Sequence, residues 1–251
     1  MVNGWKLFDQ VIGGGCPLCR ASGDTICRAC RESLPLNRYA CPRCALPMPQ
    51  DPGPAVLCGD CLSKAPAFDR ALAPLLYQAP VDDLVAGFKY HHRLHWGRIL
   101  GDLLADHLAC KSHRLPAAGG DTLALPGLAH NAAPPLLLLP VPATAARLRE
   151  RGFNQAAELA RRLAQRLGIP WRTDRLLRIR EADHQQGLSG PQRRRNMRGA
   201  FACRGRLPDR VALIDDVITT GATARAASAT LKGAGVDWVE VWAVARTPKD
   251  N

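Results

Sequence analysis

Val211-Ala-Leu-Ile-Asp-Asp-Val-Ile-Thr-Thr-Gly-Ala-Thr223 puts an apolar run, two adjacent acids and a hydroxyl- and glycine-rich turn in one line. Val211 to Ile214 is the short apolar stretch of a buried parallel strand. Ala222 to Ala234 carries Ala224, Ala227, Ser228 and Leu231 at helical spacing. The turn between them therefore falls at a strand's C-terminal end, where open parallel sheets bind ligands. There the first turn of the following helix offers unpaired N–H groups and its positive dipole end to an anion. Thr219, Thr220 and Thr223 add hydroxyl donors, and Gly221 lets the backbone approach without a Cβ in the way. Asp215 and Asp216 stand just upstream, and ionised carboxylates accept strongly from a pair of neighbouring hydroxyls. Anion at the turn and hydroxyls at the acids describe one ligand class, a phosphorylated sugar.

At these residues the chain resembles the type I phosphoribosyltransferases, whose fingerprint is an apolar strand, two acids, two apolar residues and a Thr-Gly loop. The resemblance implies an α/β core with a parallel sheet that binds phosphoribosyl pyrophosphate. Asp215 and Asp216 would orient the ribose, and Thr219, Thr220, Gly221, Ala222 and Thr223 would hold its 5-phosphate. Magnesium would bridge pyrophosphate oxygens and ribose hydroxyls. The implied reaction is pentosyl transfer with pyrophosphate release. The chain departs from the purine-salvage relatives at Thr219, where they carry an acid that manages a proton on the base. Threonine has no comparable titratable group, so salvage of hypoxanthine or guanine is disfavoured and the acceptor stays unnamed.

The 251 residues can hold one large or two small domains, and 47% hydrophobic content is enough for a packed core. Net charge is +12. Residues 136 to 251 hold 21 Lys and Arg against 11 Asp and Glu, whereas the earlier part is nearly balanced. A basic C-terminal part suits polyanionic partners, a pyrophosphate-bearing substrate or single-stranded DNA. Residues 1 to 15 lack the apolar core of a signal peptide, and no run reaches the roughly 18 apolar residues of a membrane helix. The expectation is a cytoplasmic protein without membrane insertion.

Eight of the ten cysteines form four Cys-x-x-Cys pairs: Cys16 and Cys19, Cys27 and Cys30, Cys41 and Cys44, Cys58 and Cys61. Each pair can present two thiolates on a tight turn, and two such turns complete a tetrahedral four-sulfur zinc site. Two structural zinc ions are expected. Pairing in chain order joins the first four cysteines and then the last four, although the short ribbon between the first two pairs leaves a crossed pairing open. Full sulfur ligation leaves no position for water, so these metals fold a small module rather than catalyse. Cys110 and Cys203 read as ordinary small apolar residues.

Between these ends, Ala71 to Tyr77 reads as a strand and Val81 to Tyr90 as a short helix. Trp96 to Cys110 reads as a longer helix with Ile99, Leu100, Leu103, Leu104, His107 and Leu108 inward. His91, His92 and His95 read as solvated or hydrogen-bonding histidines. Residues 115 to 135, rich in Ala, Gly and Pro, read as a flexible connector. Leu136 to Val141 is an apolar strand ending in Pro140-Val-Pro142, where a second ligand loop would start. A helix from about Asn154 to Leu167 follows, closed by Gly168 and Pro170. Arg147, Arg149 and Arg151 precede its N-terminus, where cations oppose the dipole. An anion between them resolves that conflict, so Arg147 and Arg151, with Lys89, are candidates to neutralise a departing pyrophosphate. A second basic run, Arg193 to Arg195, follows Gln185 to Ser189. Val236 to Ala245 is a final strand whose Trp238 and Trp242 pack sheet against helix. The expected organisation is a cysteine module over 1–66, a connecting region over 67–135 and a ligand-binding domain over 136–251.

Taken together, the cysteine knuckles, Cys58-Gly-Asp-Cys-Leu62, Pro66-Ala-Phe-Asp69, Phe88-Lys-Tyr90, Pro140-Val-Pro142, Arg151-Gly-Phe-Asn-Gln155, Gln186, Arg194-Arg-Asn196 and the terminal loop resemble the ComF competence family over nearly the whole length. That resemblance implies a double zinc ribbon followed by a phosphoribosyltransferase-like domain. It also implies a role in handling DNA taken up in natural transformation or used as a nutrient. A non-catalytic module that binds single-stranded DNA, or an adaptor whose zinc module docks a helicase or recombination protein, is the alternative.

Overall fold

A computed structural model describes residues 15–23, 25–50, 56–90, 93–112, 135–180 and 199–249. Residues 115–134, His91, His92, the 185–198 segment and the side chain of Cys110 lie outside the described residues.

Helices α1 (Arg28–Glu32) and α2 (Gly59–Ser63) belong to the cysteine module. Strands β1 (Arg70–Leu72) and β2 (Leu75–Leu76), then helices α3 (Val81–Tyr90) and α4 (Leu94–Ser112), follow. After them come β3 (Leu137–Pro140), α5 (Ala145–Arg151), α6 (Gln155–Leu167), β4 (Leu176–Arg178), β5 (Phe201–Cys203), β6 (Arg210–Ile218), α7 (Ala222–Gly233) and β7 (Trp238–Arg246). The architecture is α/β. Every pairing in its central sheet is parallel, in the order β1–β7–β6–β3, with β2 continuing β1's edge of β7. Strands β4 and β5 form a separate antiparallel pair.

The strand read over Ala71–Tyr77 is divided. Pro74 lacks an N–H to continue the ladder, and its carbonyl instead accepts from Asn37 N at 2.8 Å. Strand β6 runs further than the apolar stretch that announced it, through Asp215 and Asp216 to Ile218. Its partner β7 is buried along almost its whole length, as a central parallel strand covered on both faces must be. Trp242 is packed in the core as expected, and both indoles donate to one buried carboxylate, Glu240, at 3.2 Å from Trp238 and 2.6 Å from Trp242.

Alternation along the strands sends side chains to two faces. On one face Val239, Val241 and Ala243 join Ala224, Ala227 and Leu231 of α7. On the other, Trp242 and Val244 join Leu159 and Leu163 of α6, Leu84 and Phe88 of α3, and Leu100 and Leu104 of α4. Helices α3 and α4 seat each other through reciprocal glycine–aromatic contacts. A Cβ on Gly87 would lie 2.1 Å from the Trp96 ring, and one on Gly97 would lie 2.4 Å from the Phe88 ring. This close approach fixes the C-terminal turn of α3, which carries Lys89, against α4. Among the described residues no helix is long and apolar enough to cross a membrane.

Candidate functional site

The eight paired cysteines gather as two groups in chain order, Cys16, Cys19, Cys27 and Cys30, then Cys41, Cys44, Cys58 and Cys61, so the crossed pairing is excluded. Within each group all sulfurs lie within 4.8 Å of one another. Cys19 and Cys27 stand 3.6 Å apart, and Cys44 and Cys58 3.5 Å. A tetrahedral zinc with bonds of about 2.3 Å needs sulfur edges of roughly 3.8 Å, so both groups fit that ion. Each is built the same way. The residue after the second cysteine takes a left-handed φ, 61° at Arg20 and 56° at Ala45, and its N–H returns to the first cysteine's carbonyl at 2.8 and 2.9 Å. The third cysteine caps a short helix, Cys27 for α1 and Cys58 for α2. Thiols so crowded resist ionising together. The Cys44 thiol bonds to Cys41 and holds it down at about 4 against the effect of burial, while Cys44 itself is pushed up by Cys41 and by burial. A divalent cation removes that conflict by taking all four as thiolates.

The ligand-type site lies at the C-terminal ends of β3 and β6. Pro140 pairs with Ile214 in register, so the chain leaving β3 passes beside Asp215 and Asp216. Thr144 caps α5, its hydroxyl accepting from Arg147 N at 3.2 Å, and Asn154 caps α6, accepting from Ala156 N at 3.1 Å. Between these elements is a cleft of about 70 Å3, lined by Lys89, Arg147, Arg151, Asp215, Asp216 and Thr223 among others. Six of the residues singled out in the sequence thus meet in one place, from four separate elements.

Asp216 is buried and forms an ion pair with Lys89 at 2.8 Å. Asp215 receives the N–H of Asp216 at 2.9 Å. Burial, and beside it the Asp216 carboxylate, push Asp215 up to about 7, against the pull of Lys89, that N–H and Arg147. Arg151 is buried, lies over the Tyr90 ring, and donates to Tyr90 Oη at 2.9 Å and Gln155 Oε1 at 3.2 Å. Its Nε and the Nε2 of Gln155 are buried donors without a hydrogen-bond partner. Such donors are costly to leave unmet, and an anion in the cleft would satisfy both.

The arginines precede α6 as the sequence suggested, but they ride on α5, a helix of their own, with Arg149 and Arg151 in its last turn, where cations suit that helix's dipole. Arg151 still reaches Gln155 at the first position of α6, and the unmet donors of both residues add to the sign of an anion.

The threonine loop is shared between two cavities. Thr223 faces the acid pair, whereas Thr220 and Ala222 border a larger cavity of about 520 Å3 whose walls include Lys64, Pro66 and Arg225. Thr219 and Thr220 are exposed, and Thr219 borders neither cavity. Gly221 opens α7 with φ 71°, a left-handed conformation that favours glycine. Asn154, Gln155 and Arg178 also line the small cleft and were not singled out beforehand. The Arg-Gly-Phe-Asn-Gln stretch held the signal for the first two; Arg178, on β4, arrives only through the tertiary fold.

The double zinc ribbon domain model matches residues 7–62. The chain is 32% identical over 245 residues to the DNA utilization protein YhgH of Salmonella typhi, covering 94% of this chain and 98% of that relative. It is 31% identical over 227 residues to Competence protein F of Haemophilus influenzae, with 88% and 90% covered. Against the DNA utilization protein YhgH of Escherichia coli K12 the identity is 30% over 241 residues, with 94% and 98% covered.

Proposed function

Because the chain belongs to the ComF competence family, we propose that it binds phosphoribosyl pyrophosphate at the Asp215–Asp216 cleft and acts on, or in response to, DNA taken up by the cell. The observation that carries this reading is the meeting of two acids, four cations and the start of α7 at the end of parallel strands. Asp215 and Asp216 would accept from two ribose hydroxyls. The N-terminal amides of α7, with Thr223, would hold the 5-phosphate, and Thr219 and Thr220, which lie outside the acid-pair cleft, would have to turn toward it to join them. Arg147, Arg151 and Lys89 would neutralise pyrophosphate as it leaves the sugar, by positioning and charge rather than by proton transfer. Carboxylates beside phosphate oxygens form a hard-oxygen environment that suits magnesium, which would supply further charge neutralisation.

Two features of the site have to change on binding. A cleft of about 70 Å3 is well below the roughly 300–1,000 Å3 of small-molecule sites. The Lys89–Asp216 ion pair spans it. Entry of the ligand would draw Lys89 from Asp216 to a phosphate, freeing the carboxylate for the ribose. Asp215 must also lose its proton to become a strong acceptor. With Asp215 held at about 7, affinity should rise from pH 6 to pH 8 and then level off.

Calorimetry with phosphoribosyl pyrophosphate and magnesium tests the reading. The Asp215→Asn, Asp216→Asn double variant should lose binding at least a hundredfold while keeping its zinc and its circular dichroism, and Asp215→Asn alone should flatten the pH dependence. Unchanged affinity in the double variant would remove the sugar site.

The C-terminal excess of 21 basic over 11 acidic residues and the DNA utilization and competence names of the relatives favour a second reading, single-stranded DNA binding without turnover. It requires affinity to fall steeply with salt. Binding that ignores ionic strength would exclude it.

A further inference from the structure

Arg246, the last residue of β7, is a buried cation whose hydrogen bonds reach two parts of the protein at once. Its guanidinium donates to the main-chain carbonyls of Cys44 at 3.4 Å, Ile218 at 2.9 Å, Thr247 at 3.0 Å, and Thr219. The first belongs to the second cysteine cluster. Ile218, its register partner in β6, and Thr219 form the exit from the strand into the threonine loop.

A guanidinium taken out of water needs negative charge around it. Burial works against the Arg246 charge and Arg225 opposes it too, while Cys44, Cys58 and the Asp60 carboxylate favour it; Asp60 also pairs with Lys249 at 2.8 Å. Four thiolates around one divalent cation leave a net negative complex, which suits the interior position of Arg246. Without metal, the knuckle that carries the Cys44 carbonyl loses the ligation that draws Cys41 and Cys44 to Cys58 and Cys61, and with it the fixed place of that acceptor. The geometry at the other end is equally direct. In a trans peptide the N–H points opposite to the carbonyl, so holding the Ile218 and Thr219 carbonyls toward Arg246 turns the N–H groups of Thr219 and Thr220 away from it.

We propose that Arg246 is a positioning residue that ties the metal-bound second cysteine cluster to the Thr219–Gly221 loop, so that the loop takes its binding conformation only while that cluster is filled. The part of this inference that concerns ligand affinity rests on the proposed sugar site; the part that concerns loop order does not. The cluster of Cys16, Cys19, Cys27 and Cys30 packs on the opposite face of the sheet and serves as the internal control.

The test uses the full zinc-loaded chain with Arg246→Met and Arg246→Lys. Chelator-driven zinc loss should show two phases, assigned with Cys19→Ser, which perturbs the first cluster. Arg246→Met should speed the second-cluster phase at least fivefold and leave the first unchanged. It should also speed amide exchange over residues 217–221 at least tenfold, with residues 211–214 as slow as in the wild type. Arg246→Lys keeps the charge but cannot hold four carbonyls, so it should retain zinc and loosen only the loop. That second variant carries the test if Arg246→Met does not fold. Wild-type exchange over 217–221 in Arg246→Lys, or equal acceleration of both zinc phases in Arg246→Met, overturns the coupling. If phosphoribosyl pyrophosphate fails to bind the wild type, the proposed function falls, and exchange and zinc release still decide the coupling.

Discussion

The two cysteine clusters share one local design and differ in what surrounds them. In the first, Cys16 is buried in the same core as Leu72, Leu75 and Trp242 but Cys19 is exposed, and α1, which Cys27 caps, adds a polar link through Arg31, which donates to Asp106 at 2.5 Å. In the second all four cysteines are buried, in the same core as Phe68, Leu139 and Val241. Asn37 ties its knuckle to the sheet edge, donating to Ala45 O at 2.9 Å and Ala73 O at 3.1 Å. The lesson is that one ligand pattern can close a surface ribbon or serve as part of a sheet's core, and only packing tells which.

The largest effect that separates them is on folding. Structural zinc in ribbon-type sites contributes about 10–16 kcal/mol at neutral pH, comparable to or larger than the roughly 5–15 kcal/mol by which a domain is stable. Cys41→Ser, whose side chain is 1% exposed, should abolish the cooperative thermal transition of the whole chain. Cys19→Ser should keep that transition while lowering the bound zinc. If both variants melt alike, the clusters are equivalent and the contrast fails.

An intermediate effect is expected in acid. Protons compete with zinc for thiolates, and the exposed Cys19 gives them a way into the first cluster that the four buried cysteines of the second do not. Acid titration with a zinc indicator should therefore release the first cluster's ion at a higher pH than the second's. A single step would contradict the difference in surroundings.

The smallest effect concerns the polar link to the first cluster. Asp106 joins Arg31 at 2.5 Å and Arg166 at 2.8 Å, and Arg166 also reaches Asp102 at 2.6 Å. Burial works against the Asp106 carboxylate, yet Arg31 and Arg166 hold it below its ordinary range. Because these side chains are partly solvated, Asp106→Ala should cost only about 0.5–1 kcal/mol, a fall of roughly 1–4 °C in Tm. Exchange should quicken in α1 and not in α2.

Much of this was legible in the residues. Cys-x-x-Cys spacing announces a metal turn whatever lies around it, and the order strand, acids, Thr-Gly, helix is local enough to read directly. Lys89, Arg147 and Arg151 were found through the chemistry of an expected anion, and they do meet the acid pair. The chain order of the cysteine pairs was not legible, because spacing permits both pairings and only the distances between sulfurs choose. That the arginines ahead of α6 form a helix of their own was not legible, because α5 has seven residues and a Thr144 cap, too short for a clear period. Arg178 and Arg246 were invisible as site residues, since one stands on an isolated hairpin strand and the other at the end of an apolar strand.

The sequence by itself determined what is set by neighbours along the chain: the two metal turns in each cluster, the strand–turn–helix that bears the acids, and the basic character of the C-terminal part. The tertiary structure alone decided which knuckles share an ion and that Lys89 rests on Asp216. It also split the threonine loop between two cavities and placed a buried arginine between a cysteine cluster and that loop. The physical reason is range. Turn geometry and helix capping act over a few residues and leave a pattern in the chain, whereas burial, ion pairing and the filling of a cleft depend on elements separated by tens to hundreds of positions that meet only when the sheet is formed.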